Sequence, residues 1–218
     1  MRSMLRLALA NAILLACSLS PHVADARTII LDATACKRMA FLSEAAPRHS
    51  WAMWERKPGM FDTGAVALVP NRALLIEFPF EKIPAGQRIA HAELVVHVAT
   101  YAGSEPRFYL WRMVNDWGSG ACWDYRTTWP KPVPWVKPGG RGQSSDRATR
   151  PTVIHRLLAT QDNTINVTED VALWYTGAAK NHGWMLTVED PGVFVQLVPP
   201  SDTAYMPSWR LRITYEPE

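Results

Sequence analysis

The sequence has few cysteines, no long apolar run after its N-terminus, and none of the short motifs that mark common enzyme families. Its three cysteines form no C-x-x-C pair and its six histidines are scattered, which does not favour a zinc site. A G-x-S-x-G elbow, an H-E-x-x-H pair and a phosphate-binding glycine loop are also missing from the sequence. We therefore predict a non-catalytic protein without a cofactor. A structural calcium ion is compatible with this class, but the sequence names no ligands for one.

The two signs of charge are nearly balanced, with 23 Lys and Arg against 20 Asp and Glu. A net charge of +3 does not predict a nucleic-acid partner. The stretch from residue 121 to residue 150 is more basic. Its cations are Arg126, Lys131, Lys137, Arg141, Arg147 and Arg150, and its acids are only Asp124 and Asp146. A basic segment among aromatic residues suits an acidic polysaccharide, although a solvated loop without a ligand explains the same composition.

The N-terminus has the pattern of an export signal. Two arginines precede an uncharged apolar run, and Ala24-Asp25-Ala26 matches an A-x-A cleavage site. We predict a signal peptide at residues 1–26 and one domain at residues 27–218, secreted to the extracellular or periplasmic space. In the alternative, residues 14–17 resemble a bacterial lipobox. Lipidation of Cys17 would then anchor the protein to a membrane surface.

Cleavage at this site leaves two cysteines, Cys36 and Cys122. Two cysteines in an exported chain predict one disulfide, because the compartment is oxidising. Closing a loop of this length would stabilise the fold by about 4 kcal/mol in the chain-entropy model.

The hydrophobic pattern after residue 26 is that of an all-β domain. Residues 88–101 alternate, with Ala92, Leu94, Val96 and Val98 on one face, as expected for a strand that packs against a core. Further strands are predicted at residues 27–32, 72–80, 107–114, 164–168, 181–188, 193–198 and 209–215. Residues 169–177 predict a short helix capped by Thr168, and residues 116–151 predict a long loop or two short hairpins. We expect a two-sheet antiparallel β-sandwich of jelly-roll-like type.

Five of the ten tryptophans lie within 25 residues, at Trp111, Trp117, Trp123, Trp129 and Trp135. Indole rings serve either packing or stacking on a flat ligand face such as a sugar ring. We predict Trp123, Tyr125 and Trp135 as ligand-binding rings, because they lie in the loop. Their predicted charge partners are Arg126, Lys137, Arg107 and Arg112. Packing is the role predicted for Trp117, Trp129, Trp174 and Trp209.

Several motifs in order connect the chain to a known family. Residues 75–98 contain an L-I-E-F-P-F segment, then I-P-A-G, then spaced apolar residues. These are followed by a TW pair at residues 128–129, a tryptophan before GG at residues 139–140, and an N-V-T…W…G…N-x-G pattern at residues 166–183. This order resembles the DNRLRE domain proteins, which include carbohydrate-binding module family 96. Here Glu77 replaces the family's arginine and FPF replaces its FDL.

The resemblance covers about residues 70–217. It implies a secreted β-sandwich that binds an acidic polysaccharide, with alginate as the suggested ligand. Two other classes stay open. One is a cell-surface structural or adhesion protein that uses the sandwich as a scaffold. The other is a small polysaccharide-active enzyme, in which His97, Tyr101 and Arg107 would supply a base and a charge neutraliser.

Overall fold

The computed structural model describes residues 25–32, 35–52, 66–103, 106–118, 120–158, 161–198 and 209–218. These residues form two six-stranded antiparallel sheets that pack together, with one α-helix among them. The predicted all-β sandwich is therefore confirmed. Cys17 and most of the predicted signal peptide lie outside the described residues.

One sheet, here called sheet A, is organised around a single long strand. Its strands are β1 (Arg27–Asp32), β4 (Val66–Leu68), β6 (Gln87–Ala102), β11 (Gln161–Asn166), β13 (Phe194–Leu197) and β14 (Trp209–Pro217). They run in the order β1-β14-β6-β13-β4, and β11 also pairs with β6. Strand β6 is 16 residues long, so it reaches β14, β11 and β13 along its length.

The other sheet, sheet B, carries the loop layer described below. Its strands are β2 (Arg38–Ser43), β3 (Trp51–Ala52), β5 (Arg72–Glu77), β7 (Arg107–Arg112), β10 (Val153–Arg156) and β12 (Trp184–Thr187). They run in the order β10-β7-β12-β5-β2-β3. A separate hairpin pairs β8 (Tyr125–Thr127) with β9 (Val133–Pro134).

The core between the sheets follows the two-residue period of the strands. Ala92, Leu94, Val96 and Val98 of β6 are all buried there, as the alternation predicted. Alternate residues of β14, from Trp209 to Tyr215, face them from the neighbouring strand. Since successive side chains point to opposite faces, the residues between them lie on the outer face of sheet A.

The short helix α1 (Thr168–Tyr175) lies close to its predicted position, but its predicted cap is wrong. The N-cap residue is Val167, and no side chain caps the helix. The Thr168 hydroxyl instead accepts a hydrogen bond from the Ala92 backbone N–H at 2.9 Å. This bond fixes the start of the helix to β6.

The strand prediction missed four of the strands in the structure. Strands β2, β3, β4 and β10 had not been predicted, and the segment at residues 116–151 contains one hairpin, β8–β9, and a short 3-10 helix at Pro138–Gly140. Strands β3 and β4 have only two and three residues, too few for alternation to be seen. Strand β2 has six residues, but its sequence R-M-A-F-L-S does not alternate.

The predicted disulfide is not present in the structure, where Cys36 and Cys122 are both free thiols. The Cys36 thiol donates to the Arg38 and Glu77 carbonyl oxygens at 3.1 Å each, where β2 meets β5. Cys122 is buried in the tryptophan-rich loop. Burial raises the pKa of both thiols, to about 12 for Cys36. Each cysteine is therefore held as a protonated thiol in its own environment.

Candidate functional site

A second hydrophobic cluster lies on the outer face of sheet B, away from the core between the sheets. The sheet contributes small and flexible side chains, which are Ala40, Leu42, Ala73, Leu75 and Met185, together with Trp111 from β7. The loop that follows β7 contributes Met113, Trp117, Ala121, Trp123 and Trp135. The tryptophan-rich segment is therefore a third layer, here called the loop layer, which covers part of sheet B.

Two of the predicted ligand-binding rings belong to this second core. Trp123 is 7% exposed and Trp135 is 4% exposed, and the Trp135 indole N–H donates to the Cys122 carbonyl oxygen at 2.8 Å. Neither ring presents a face to solvent, so the prediction that they stack on a ligand is wrong. Tyr125, the third predicted ring, is half-buried on β8.

The predicted packing roles are confirmed for Trp117, Trp174 and Trp209, which are all buried. The fourth assignment is wrong, because Trp129 is 82% exposed. Its place in the TW motif had indicated a core residue. The prolines on its C-terminal side, Pro130 and Pro132, were the signal for a surface turn, since proline has no backbone N–H to give to a ladder.

Trp129 lies between β8 and β9, on a hairpin that is held by hydrogen bonds on both sides. The Thr127 hydroxyl donates to the Trp129 carbonyl oxygen at 2.9 Å, and the Thr128 hydroxyl donates to the Gly120 carbonyl oxygen at 3.2 Å. The Gly118 N–H donates to the Arg126 carbonyl oxygen at 2.8 Å. These bonds place an exposed indole on an ordered support.

A buried carboxylate organises the chain that follows the hairpin. Asp146 has no solvent exposure, and it accepts hydrogen bonds from three backbone N–H groups. These belong to Val136 at 3.0 Å, Lys137 at 2.9 Å and Gly142 at 3.0 Å. Asp146 therefore fixes the backbone of residues 136–142 from inside the loop layer.

The hairpin and the residues that follow it also carry cations and exposed apolar atoms. Lys131 and Lys137 are exposed, and Val136 is 70% exposed. Arg126 is half-buried and donates to the Asp116 carbonyl oxygen at 2.9 Å. We call Trp129, Lys131, Val136 and Lys137 the hairpin surface. Trp129 and Lys131 lie in the turn between β8 and β9, whereas Val136 and Lys137 follow β9 at the base of the hairpin. The hairpin surface thus combines an exposed ring with positive charge.

The two other predicted charge partners lie elsewhere, on opposite faces of β7. Arg107 forms an ion pair with Asp190 at 2.5 Å, on the outer side of sheet B. Arg112 faces the core side and pairs at 3.2 Å with Asp170, a buried carboxylate that also accepts from the Trp184 indole N–H. The structure therefore places these two arginines on opposite faces of one strand, each in an ion pair, and their role in ligand binding stays a prediction.

The residues of the enzyme alternative lie on two different sheets. His97 lies on β6 of sheet A and contacts Asp162 at 3.1 Å, whereas Arg107 lies on β7 of sheet B and is paired with Asp190. In the described residues, no three His, Cys, Asp or Glu side chains are grouped to hold a metal ion. None of the described helices has the length and apolarity that a membrane crossing needs.

Comparison with known proteins leaves the resemblance to DNRLRE domains as a prediction, because no family model and no curated protein matches this chain.

Proposed function

We propose that the protein is a secreted, non-catalytic module that binds an acidic polysaccharide on the hairpin surface. The supporting observation is a ring that is 82% exposed on a hydrogen-bonded hairpin, together with exposed lysines in its turn and just after it, Lys131 and Lys137. An indole face accommodates the C–H face of a pyranose, and ammonium groups attract its carboxylates. This site replaces the one centred on Trp123 and Trp135.

Affinity electrophoresis tests the proposal, with alginate, polygalacturonate and a neutral glucan in separate gels. We expect retardation in the acidic gels that weakens as salt is added, because exposed charges are screened. Unsaturated and reducing products, measured on the same samples, should stay at background. Product formation would instead support the enzyme alternative. No retardation in any gel would remove the polysaccharide and favour the adhesion protein.

Variants separate the hairpin surface from general effects of lost aromatic area. Trp129→Ala should weaken binding at least about tenfold while the unfolding midpoint is unchanged, since the ring is not part of either core. Tyr101→Ala is the matched control, because Tyr101 is a 37% exposed ring on sheet A. Equal losses in both variants would contradict the assignment. The double change of Lys131 and Lys137 to Gln should reduce the salt dependence.

A further inference from the structure

A groove of about 530 Å³ opens between helix α1 and the connection from β5 to β6. Its walls include Phe80, Ile83, Trp174 and Tyr175, and its volume lies in the range typical of small-ligand sites. None of the hairpin-surface residues lines it. The groove is thus a separate feature of the molecule.

The aromatic wall of the groove is fixed by packing and hydrogen bonds. Phe80 stacks on Trp174 with ring centroids 5.9 Å apart and an interplanar angle of 26°. The Tyr175 hydroxyl donates to the Pro84 carbonyl oxygen at 2.5 Å and accepts from the Gln87 backbone N–H at 3.1 Å. Phe80 and Tyr175 are half-buried, so parts of their rings remain accessible. The groove therefore exists without rearrangement.

The rim of the groove is polar and carries no positive charge. Gln87 contributes an amide, Thr176 a hydroxyl and Glu218 a carboxylate, and the described residues that line it include no lysine or arginine. A second cavity of about 230 Å³ shares Phe80 and adds Glu81 and Asn181. Lys37 also lines that cavity, but its ammonium is paired with the Glu77 carboxylate at 2.8 Å.

We propose that this groove is a second binding site, for an uncharged sugar ring. Aromatic faces accept the C–H groups of a pyranose, while amide, hydroxyl and carboxylate groups bind its hydroxyls. The carboxylates of Glu81 and Glu218 would repel a sugar acid, which sets this groove apart from the basic hairpin surface. The smaller cavity beyond Phe80 gives room for a neighbouring sugar unit. This inference does not rest on the proposed function.

The test is an NMR titration of the 15N-labelled protein with four neutral hexasaccharides, derived from cellulose, xylan, mannan and starch. At least one should give saturable shifts of the Gln87 amide and the Trp174 indole N–H. The affinity should change less than about twofold between about 0.05 and 0.5 M salt, because no ion pair forms. An absence of shifts with all four sugars overturns the proposal, as do shifts confined to Trp129.

Two variants keep the result independent of folding effects. Ala85→Trp fills the groove from its exposed rim without removing a contact, and it should weaken binding at least about tenfold. Ala102→Trp makes the same change at an exposed alanine at the end of β6 and should bind like the wild type. Equal affinity in both variants overturns the proposal. Loss of alginate binding in Trp129→Ala concerns only the hairpin surface, so the two sites can fail separately.

Discussion

The outer face of sheet A carries exposed and half-exposed polar side chains, whereas much of the outer face of sheet B is buried under the loop layer. On sheet A, Arg212 of β14 forms an ion pair with Glu93 of the neighbouring strand β6 at 2.8 Å. Arg210 of β14 forms an ion pair with Asp162 of β11 at 2.5 Å. On sheet B, the corresponding positions of β5 are Ala73 and Leu75, and both are buried.

This difference between the two outer faces explains the role of most of the clustered tryptophans. An antiparallel sheet with one solvated face alternates apolar and polar residues, but β5 has apolar side chains on both faces. The second apolar face requires a cover, and the loop layer supplies it with large flat rings. Trp129 is the member of the cluster that extends beyond this cover, and so it remains available to a ligand.

The largest effect is expected from removing a ring of the second core. Trp135→Ala deletes a side chain that is 4% exposed and hydrogen-bonded to Cys122, so the free energy of unfolding should fall by about 3–5 kcal/mol. Urea denaturation followed by circular dichroism measures this change. Tyr101→Ala, which removes a 37% exposed ring near the end of β6, is the control and should cost less than about 1 kcal/mol. A loss of similar size in the two variants would mean that the loop layer contributes no core.

The strands could be predicted from the sequence because their alternation is local. In β6, each side chain's face follows from its place in the two-residue period, and the core residues Ala92, Leu94, Val96 and Val98 were predicted correctly. The loop layer could not be predicted in this way, because the face of a loop ring depends on distant strands. The apolar residues on both faces of β5 were the signal that sheet B needs a second cover.

A smaller loss of stability is expected from replacing Arg38, which connects sheet B to the loop layer by hydrogen bonds. Arg38 donates from Nε to the buried Glu77 carboxylate at 2.5 Å and from Nη2 to Asp116 at 2.6 Å. It also bonds the Trp117 carbonyl oxygen and lies 4.5 Å from the centre of the Trp117 ring. Arg38→Met leaves Glu77 with Lys37 alone, and we expect stability to fall by about 3 kcal/mol.

Arg212→Ala is the matched control for Arg38→Met, because it also removes an arginine paired with a glutamate across an outer face. Arg212 is 40% exposed, and exposed ion pairs contribute about 0–1 kcal/mol. Thermal unfolding of both variants compares the two faces directly. If Arg212→Ala is as costly as Arg38→Met, the contrast between a buried and a solvated face is wrong.

The candidate site was harder to predict than the fold, and for a physical reason. The choice of Trp123 and Trp135 assumed that loop rings are exposed, while the choice of Trp129 for packing assumed that motif positions are core. Whether a ring of this loop is exposed depends on which loop residues face the sheet. Hydrogen bonds of Asp146 and Arg38 determine this, and they join residues that are distant in the sequence. Among the predicted site residues, Lys137 is exposed in the segment that follows the hairpin.

The smallest effect is a pH dependence on the outer face of sheet A. Partial burial raises the pKa of Asp162, but the hydrogen bonds and charges of Arg210 and His97 outweigh it and hold the pKa below its usual value of 3.8. Since the folded pKa is the lower one, this contribution is present above that value and is lost as the pH falls below it. The carboxylate is 40% exposed, so solvent screening limits the contribution to less than about 1 kcal/mol. Asp162→Asn should therefore be slightly less stable than the wild type at pH 7 and equal to it near pH 2. If the stability difference between Asp162→Asn and the wild type is the same at both pH values, Asp162 contributes through packing rather than through its ion pair.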